Sequence, residues 1–534
     1  MVAKRIRYRR AAAAVAAGAL PCLAFPAPAL WWFAYVALVP WMLLLRSAPT
    51  GRRAALEGWL GGAAFIIAVH HWLLPSLHVF LLPVAALVGL LWIPWALLVR
   101  EFLGGTPDPG RAAAALFLVP AGWLLSELAR SWQGLGGPWG LLGASQWQVP
   151  PALRLASVGG VWLVSLLVVA VNCALVLLIS VPGARVPAVA GVTGCAVLTG
   201  AVWLWVPRPE VSGALRVAVV QPGLVADGPN SAEQRFSAGE RLTRTLAGQR
   251  VDLVVWGESS VGADLAARPD LARRLAALSA DVGAPLLVNV DARRPAGPVA
   301  GPVAGPVAAA ATASGEGIYK SSVLVGPGGP TGDRYDKMRL VPFGEYIPAR
   351  SLLGWATSVG KAADEDRRRG SEPVLMNLPG RPGVRIGPLV CFESAFPDMS
   401  RRLTGDGAAL LIAQSATSSF QRSWAPAQHA SLAALRAAED GRPMVHATLT
   451  GISVVYGPSG ERIGPALPTS ARAAQVYEVP LSRGSTFYVR FGDWPGGACL
   501  ALLAAYCAIE GVRSLGLRKP APEPTTPPAR TARG

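Results

Sequence analysis

One cysteine of the chain differs from the other five in its surroundings. Cys391 ends the strand-like run Val384 to Val390 in a stretch of ordinary polarity, whereas the others lie within long apolar segments (Cys22, Cys173, Cys195, Cys499 and Cys507). Cys391 therefore has no disulfide partner in the polar part of the chain. A free cysteine is often simply a small buried apolar residue. At the end of a strand it is also a candidate nucleophile. The charged residues elsewhere in the polar part of the chain decide between these two interpretations.

Two charged residues have the chemistry that a thiol nucleophile needs. Glu258 follows the apolar run Val254 to Trp256, and Lys337 lies in a turn-rich segment from Tyr335 to Pro348. A thiol with a pKa of about 8.5 is a weak nucleophile at neutral pH, so a carboxylate base and a nearby ammonium are needed to form thiolate. Alone, Lys337 would be a solvated loop charge and Glu258 a strand-end residue. Together with Cys391 they predict covalent catalysis.

The elements that position these residues divide the chain into apolar and polar parts. Of its 534 residues, 52% are hydrophobic and 15% charged, which is too apolar for a soluble protein of this size. A membrane-spanning helix needs roughly 20 apolar residues, and this criterion predicts seven N-terminal spans and an eighth near the C-terminus. Their approximate positions are 11–27, 29–45, 55–74, 79–99, 112–129, 155–180, 187–206 and 496–512. The first is expected to be a retained span rather than a signal peptide, because further spans follow.

We therefore expect four parts in the chain. They are a membrane domain of about seven helices (1–207), a polar domain (208–493), a C-terminal membrane helix (494–514) and a disordered basic tail (515–534). In the polar domain, eight short β-rich runs alternate with helix-like stretches such as Pro269 to Ala280 and Ala425 to Glu439, which predicts a layered α/β fold. The Gly-Pro-Val-Ala repeats near 297–308 are expected to form a surface-loop insertion.

The positive charge of the chain predicts membrane orientation rather than nucleic-acid binding. The formal net charge is +17, and basic residues flank the apolar segments at the N-terminus, in the 46–53 loop, at Arg100, Arg111 and Arg185, and in the tail. Because cytoplasmic loops are rich in Lys and Arg, we expect both termini in the cytoplasm and, after seven crossings, the polar domain outside. A nucleic-acid site would instead need basic residues on one folded face with interleaved aromatics, so we expect no nucleic-acid partner.

Several sequence segments resemble a known protein family. They are Leu23 to Pro26, Val36 to Pro40, Trp123 to Arg130, Gly137 to Trp139 with Ser145 and Gln146, and above all the long motif Tyr335 to Pro348. Over nearly its whole length the chain resembles the apolipoprotein N-acyltransferases, a membrane branch of the nitrilase-like carbon-nitrogen hydrolases. The resemblance implies a multi-pass α-helical membrane domain plus an extracytoplasmic α/β nitrilase-like domain, an αββα sandwich, in the plasma (inner) membrane.

The resemblance also implies roles for individual residues. The catalytic triad of the family corresponds to Glu258 as base, Lys337 as oxyanion stabiliser and Cys391 as nucleophile. Cys391 would take an acyl chain from a membrane phospholipid as a thioester and pass it to the α-amine of the diacylglyceryl-cysteine that begins a lipoprotein, with ping-pong kinetics. Glu345 and Glu393 would support the triad or relay protons; the alternative is an ordinary surface charge or ion pair. No cofactor and no metal site is expected.

Three positions depart from the pattern of the family. Phe392 replaces the tyrosine that usually follows the nucleophile, the segment Gln414 to Phe420 replaces an asparagine-containing motif, and the segment Gln221 to Asn230 has no tryptophan. We expect these three sites to lie where the substrate binds. The differences therefore bear on substrate preference more than on the fold.

Two other functions remain open from the sequence. A membrane-tethered nitrilase-like amidase would use the same triad with water as the acceptor and would release ammonia. A non-catalytic membrane scaffold would keep the fold and anchor a partner such as a polyprenol-linked glycosyltransferase. The intact residues Glu258, Lys337 and Cys391 argue against the scaffold.

Other polar and aromatic residues in the apolar segments have simpler interpretations. The five histidines lack metal-ligand spacing and are expected at the interface or in the core. Tryptophans are expected mostly at the membrane interface. Glu127 and Arg130 lie one helical turn apart, which predicts a mutual ion pair or, alternatively, a contact with a phospholipid headgroup.

Overall fold

The computed structural model describes residues 2–224, 230–294, 316–354 and 365–516. The Gly-Pro-Val-Ala repeats near 297–308 and all of the C-terminal tail from 517 lie outside these residues. The last helix extends to Gly516, two residues into the segment expected to be a disordered tail.

The N-terminal part of the chain is helical. Its helices are α1 (Val2–Ala19), α2 (Val39–Arg46), α3 (Gly51–His70), α4 (Leu74–Leu77), α5 (Leu81–Gly89), α6 (Ile93–Leu103), α7 (Pro109–Arg130), α8 (Pro150–Ser180) and α9 (Arg185–Trp205). Within the described residues, five helical segments are long and apolar enough to cross a membrane: Gly51–Leu103, Pro109–Arg130, Pro150–Ser180, Pro182–Trp205 and Trp494–Arg513. The first of these contains two of the expected spans. The first two expected spans are not among the five, because α1 begins with basic residues and the apolar stretch Trp31–Arg46 is short.

The centre of the helical part is packed with tryptophan. Trp41, Trp92, Trp95 and Trp123 are fully buried. The ring centroids of Trp41 and Trp95 are 4.8 Å apart and those of Trp95 and Trp123 are 5.1 Å apart, both in edge-to-face geometry. This geometry places the positive edge of one ring against the negative face of the next. The expectation that tryptophans mostly mark the membrane interface is therefore wrong for these four residues, which form a core.

The polar part alternates strands and helices. In chain order it contains β1 (Glu210–Gln221), α10 (Ser231–Arg244), β2 (Leu253–Trp256), α11 (Pro269–Val282), β3 (Leu286–Arg294), β4 (Gly317–Gly326), β5 (Gly329–Asp336), α12 (Arg350–Leu353), β6 (Met376–Asn377), β7 (Arg385–Val390), α13 (Pro397–Gly405), β8 (Leu410–Ser415), α14 (Ala425–Asp440), β9 (Met444–Thr448), β10 (Ser453–Tyr456), β11 (Arg462–Leu467) and β12 (Ala473–Arg483). Helices α15 (Phe487–Phe491) and α16 (Trp494–Gly516) follow. The strands form two six-stranded sheets, ordered β12-β1-β2-β3-β4-β5 and β11-β10-β9-β8-β7-β6.

The two sheets pack face to face between two layers of helices. Val255 of β2 and Ile412 of β8 belong to the apolar core between the sheets, whereas Val254 and Trp256 of β2 face Phe236 and other residues of α10 and α11 on the outer side. This alternation follows from the period-2 geometry of a strand. On the opposite side, α13 and α14 cover the second sheet. The polar part is therefore an αββα sandwich, as the sequence predicts.

The outer helix α14 also joins the sandwich to the membrane helices. It packs on α8, and their apolar residues form one continuous core. Helix α8 is kinked at Gly159 and Gly160, and Gly160 has a φ of 65°. A kink interrupts the helical hydrogen bonds, and the N–H of Val161 donates instead to Glu439 Oε1 of α14 at 2.7 Å. A side chain of the sandwich thus caps a membrane helix.

Strand ends in both sheets meet near the candidate residues. Strands β1, β2 and β3 are parallel, as are β7, β8 and β9. Glu258 follows β2 and its N–H donates to the carbonyl of Ser415, at the end of β8 in the other sheet, at 3.2 Å. A Cβ on Gly257 would lie 1.9 Å from the backbone nitrogen of Leu449. The sheets can approach this closely beside Glu258 only because residue 257 has no side chain.

We expect Gly257→Ala to force the two sheets apart beside Glu258, because the added methyl group meets backbone rather than a flexible side chain. Overpacking of this kind should lower the Tm of the purified protein by roughly 5–10 °C. Gly326→Ala is the matched control, since a Cβ there has no neighbour within 4 Å. Equal Tm values for the two variants would contradict this account.

Candidate active site

The structure brings Glu258, Lys337 and Cys391 into one site. Lys337 Nζ donates to Glu258 Oε1 at 3.2 Å and to Glu345 Oε1 at 2.8 Å. Glu258 and Lys337 are buried, while Cys391 keeps some exposed surface. The thiol of Cys391 is close enough to both charged groups for their electrostatic interaction with it to be significant. Three residues far apart in the sequence thus meet in one pocket, with Cys391 half-buried beside the charged pair.

Cys391 occupies a sharp turn directly after β7. Its φ is 50°, in the left-handed region, and it begins the 3-10 turn Cys391–Ala395. For a residue other than glycine this backbone conformation costs roughly 1–3 kcal/mol and requires support from its surroundings. Part of that support comes from Ser394 Oγ, which donates to the Cys391 carbonyl at 2.9 Å, and from His429 Nε2, which lies 3.1 Å from the same oxygen.

A second lysine belongs to the site and is missed by the sequence interpretation. Lys320 Nζ donates to Glu258 Oε1 at 2.8 Å, and it lies 3.3 Å from Glu345 Oε1 and 3.8 Å from Asp291 Oδ2. Its position on β4 also places it beside Lys337, whose N–H donates to the Lys320 carbonyl at 2.8 Å. The available signal was that Lys320 is the one charged residue in the sequence of β4.

The charged groups set one another's proton affinity. Burial raises the pKa of Glu258, but the ammonium groups of Lys320 and Lys337 outweigh it and hold that pKa well below its usual range. Burial lowers the pKa of Lys337, but Glu258 and Glu345 outweigh it and hold that pKa above its usual value. Burial, together with Glu258, raises the pKa of Cys391 to about 12 although Lys337 opposes this. The same two lysines hold the pKa of Glu345 below its usual value against the effect of burial. The resting site therefore contains a thiol, two carboxylates and two ammonium groups.

Glu393 connects the lysine loop to the cysteine turn. Its Oε1 accepts hydrogen bonds from the Tyr335 hydroxyl at 2.7 Å and from the N–H groups of Met338 at 2.7 Å and Arg339 at 3.0 Å. Its Oε2 accepts from the N–H of Val390 at 2.8 Å. The side chain is fully buried and is not a solvated surface charge. With four donors already bound, this carboxylate fixes the two loops relative to each other.

Glu345 and Phe392 also lie at the site. Glu345 accepts from Lys337 through Oε1, and its Oε2 accepts from the N–H of Val341 at 2.9 Å, which fixes its orientation. Phe392 packs edge to face on Phe396 with ring centroids 4.9 Å apart. A Cβ on Gly137, in the loop after α7, would lie 2.8 Å from the Phe392 ring. Phe392 therefore contacts the helical part of the chain.

The segment that replaces the asparagine motif has two different roles. Gln414 is fully buried; its Oε1 accepts from Ser322 Oγ at 2.5 Å and its Nε2 donates to the Trp256 carbonyl at 2.8 Å. Gln414 therefore links the two sheets, and the expectation that it lies where the substrate binds is wrong. Phe420, at the other end of the segment, packs edge to face on Trp72 of the helical part at 5.0 Å between centroids.

Two histidines pack against each other next to Cys391. The rings of His429 and His446 are 4.7 Å apart, and the ring of His429 is 5.3 Å from that of Trp139. Burial lowers the pKa of His429 to about 4 and that of His446 to about 3, so both are neutral at physiological pH. Their proximity to Cys391 was not predicted, because they lie on a helix and a strand separated in sequence.

Glu127 and Arg130 hold the loop that follows α7. Glu127 Oε1 accepts from the N–H of Leu142 at 2.6 Å, and Arg130 Nη2 donates to the Trp139 carbonyl at 2.6 Å. Both side chains are buried. Their charges attract each other, but no Arg130 nitrogen lies within 4.0 Å of a Glu127 oxygen, so the predicted ion pair is wrong as a direct contact. Their burial also argues against a headgroup contact. They position the loop that contacts Phe392.

Two family models match large parts of the chain. Residues 216–486 match the carbon-nitrogen hydrolase family, and residues 17–174 match the apolipoprotein N-acyltransferase N-terminal domain. Fold and site together define a carbon-nitrogen hydrolase unit attached to a membrane domain. A solved amidase from Nesterenkonia sp. aligns with a TM-score of 0.33 and 19% identity over 52% of this chain and 93% of the amidase.

Relatives match over almost the whole chain. An apolipoprotein N-acyltransferase from Azotobacter vinelandii is 32% identical, covering 93% of this chain and 94% of the relative. One from Geobacter metallireducens is 29% identical with the same coverage of both chains. This chain belongs to the apolipoprotein N-acyltransferase family, and with its long apolar helices it is a membrane protein.

The raised pKa of Cys391 predicts a distinctive pH dependence of alkylation. Because iodoacetamide reacts with thiolate, the alkylation rate of Cys391 should rise about tenfold per pH unit from pH 7 to pH 10 without a plateau, whereas a free cysteine peptide levels off above its pKa of about 8.5. Lys320→Met removes an ammonium that lowers the pKa of the thiol, so it should slow alkylation further.

The measurement is mass spectrometry of the peptide that contains Cys391. Arg273→Met is the matched control, because it removes an exposed positive charge on α11. A plateau near pH 7 in the wild type, or faster alkylation in Lys320→Met, would rule out the electrostatic description given above.

Proposed function

We propose that this protein transfers a fatty acyl chain from a membrane phospholipid to the N-terminal α-amine of a diacylglyceryl-cysteine lipoprotein. The observation that supports it most is the ion pair of Glu258 and Lys337 beside the thiol of Cys391, in a sandwich whose outer helix packs on membrane helices. Both substrates are lipids, and spans beside the site give them a route from the bilayer. A soluble amidase needs no such spans.

The first half-reaction forms a thioester. Cys391 Sγ attacks the acyl carbonyl of the phospholipid while Glu258 accepts the thiol proton. Because the pKa of Cys391 is raised and that of Glu258 is lowered, transfer of the proton must accompany attack rather than precede it. The ammonium of Lys337 stabilises the oxyanion. The C–O ester bond then breaks, and the lysophospholipid leaves with the proton from Glu258.

The second half-reaction forms an amide. The α-amine of the lipoprotein attacks the thioester carbonyl, Glu258 accepts an amine proton, and Lys337 again stabilises the oxyanion. The C–S bond breaks and Cys391 regains its proton from Glu258. Glu345 keeps Lys337 charged and oriented, and Glu393 positions the two loops rather than relaying protons, because its oxygens already accept four hydrogen bonds.

The alternatives have less support. The whole-chain relatives are named as acyltransferases, which does not favour a tethered amidase or a non-catalytic scaffold. A polyprenol-linked glycosyltransferase partner is supported neither by a relative reported above nor by a feature of the described residues.

A labelled acyl chain tests the thioester directly. Incubation of the purified protein with phospholipid that carries a labelled acyl chain should leave a hydroxylamine-sensitive label on the wild type and none on Cys391→Ala. Cys507→Ala, which removes an exposed cysteine of α16, is the matched control and should label like the wild type. A diacylated lipopeptide should then take the label on its N-terminal amine.

Other outcomes of this experiment point to other functions. Equal labelling of Cys391→Ala and the wild type would eliminate the thioester. Discharge of the label only to water, or release of ammonia from a small amide, would favour the amidase. A folded protein that takes up no label would favour the scaffold.

We further propose that both termini are cytoplasmic and that the α/β part lies outside the plasma membrane, because basic residues concentrate in the loops assigned to the cytoplasm. In intact cells, a membrane-impermeant maleimide should label Gln249→Cys, an exposed site after α10, but not Thr106→Cys, an exposed site between α6 and α7. The reverse pattern would overturn the orientation.

A further inference from the structure

A cavity of about 430 Å³ lies between the helical part and the sandwich, away from Cys391. Its volume is in the range of small-molecule sites. Ala438 of α14 contributes to its lining, nine residues after His429, which lies beside the Cys391 carbonyl. At 1.5 Å per residue that separation is roughly 13 Å along the helix. The cavity is therefore distinct from the site of the thiol.

Three arginines line this cavity without a carboxylate partner. They are Arg154 near the start of α8, Arg208 after α9 and Arg462 at the start of β11. Within the described residues none of them forms an ion pair, and Arg154 and Arg208 are close enough to repel each other. Glu461, which also lines the cavity, turns back on its own loop, where its Oε2 accepts from the Ser459 N–H at 2.9 Å. The cavity is therefore positively charged.

Arg154 is the most informative of the three. Its side chain is only 6% exposed, and although Nη2 donates to the Val206 carbonyl, its buried Nε has no hydrogen-bond partner. A buried guanidinium with an unsatisfied donor and no counter-ion is costly. An anionic ligand would supply both the missing acceptor and the missing charge.

The rest of the lining is suited to a lipid. Trp147 and Trp203 form part of the wall, and Arg208 Cζ lies 5.2 Å from the centroid of the Trp203 ring. Trp203 is near the end of α9, an apolar helix that is long enough to span a membrane. Tryptophans at such positions mark the level of lipid headgroups. The charged cavity therefore opens where the phosphate of a membrane lipid would lie.

We propose that this cavity binds the phosphate group of an anionic phospholipid at a site separate from the catalytic centre. Arg154 donates to the phosphate from the buried end, and Arg208 and Arg462 approach it from the exposed side. This inference rests on the cavity alone and does not depend on the acyl-transfer proposal.

Native mass spectrometry of the full-length protein in detergent tests the proposal. The probes are an ether-linked phosphatidylglycerol, the ether-linked diacylglycerol analogue with the same chains but no phosphate, and inorganic phosphate. Arg208→Gln/Arg462→Gln should weaken binding of one phosphatidylglycerol by about tenfold or more, the effect of losing a charge-assisted hydrogen bond. Binding of the diacylglycerol analogue should not change.

Arg490→Gln is the matched control, because Arg490 is an exposed arginine on α15 outside the cavity, and it should bind phosphatidylglycerol like the wild type. Arg154→Gln should show the largest loss; if it does not fold, the double variant still decides, since both of its residues are exposed. Equal phosphatidylglycerol affinity in the double variant and Arg490→Gln would overturn the proposal. So would inorganic phosphate binding as tightly as phosphatidylglycerol, which would make free phosphate the ligand.

Discussion

The buried ion cluster around Glu258 is the constraint on which the rest of the structure depends. Two ammonium groups, Lys320 and Lys337, share the carboxylates of Glu258 and Glu345 away from bulk water. Removing one partner from such a cluster leaves an uncompensated buried charge, which is strongly destabilising. The fold must therefore place the side chains of these four residues within hydrogen-bond distance of one another.

The sandwich achieves this by holding its two sheets together at the site. Gly257 allows the backbones of both sheets to approach beside Glu258. The side chain of Gln414, on the second sheet, crosses to the first sheet and bonds there to Ser322 and to the Trp256 carbonyl. Glu393 then ties the loop of Lys337 to the turn of Cys391. Together these contacts stabilise the left-handed backbone at Cys391 and place its sulfur beside the charges.

Helix α14 couples the site to the membrane part. Near its start, His429 lies beside the Cys391 carbonyl and Gln428 accepts hydrogen bonds from Trp72 and Trp139 of the helical part. At its end, Glu439 caps the second half of α8. The same helix thus covers one sheet and packs on the apolar helices, so the position of Cys391 relative to those helices is fixed by packing rather than by a flexible linker.

The sequence by itself predicted the main secondary-structure elements and the three candidate residues of the site. Local patterns predicted a layered α/β fold, helices α11 and α14 within about two residues, and Cys391 as a candidate nucleophile, because strand periodicity and turn residues are read within a short window. The resemblance carried by the long motif implied the αββα arrangement and the triad of Glu258, Lys337 and Cys391. Only the tertiary structure decided the hydrogen-bond partners of Glu393 and Gln414. It also decided that Lys320 belongs to the charged site and that Glu127 and Arg130 bond separately to the loop after α7. Each depends on contacts between residues distant in the chain, and a local pattern cannot specify which distant atom satisfies a buried charge.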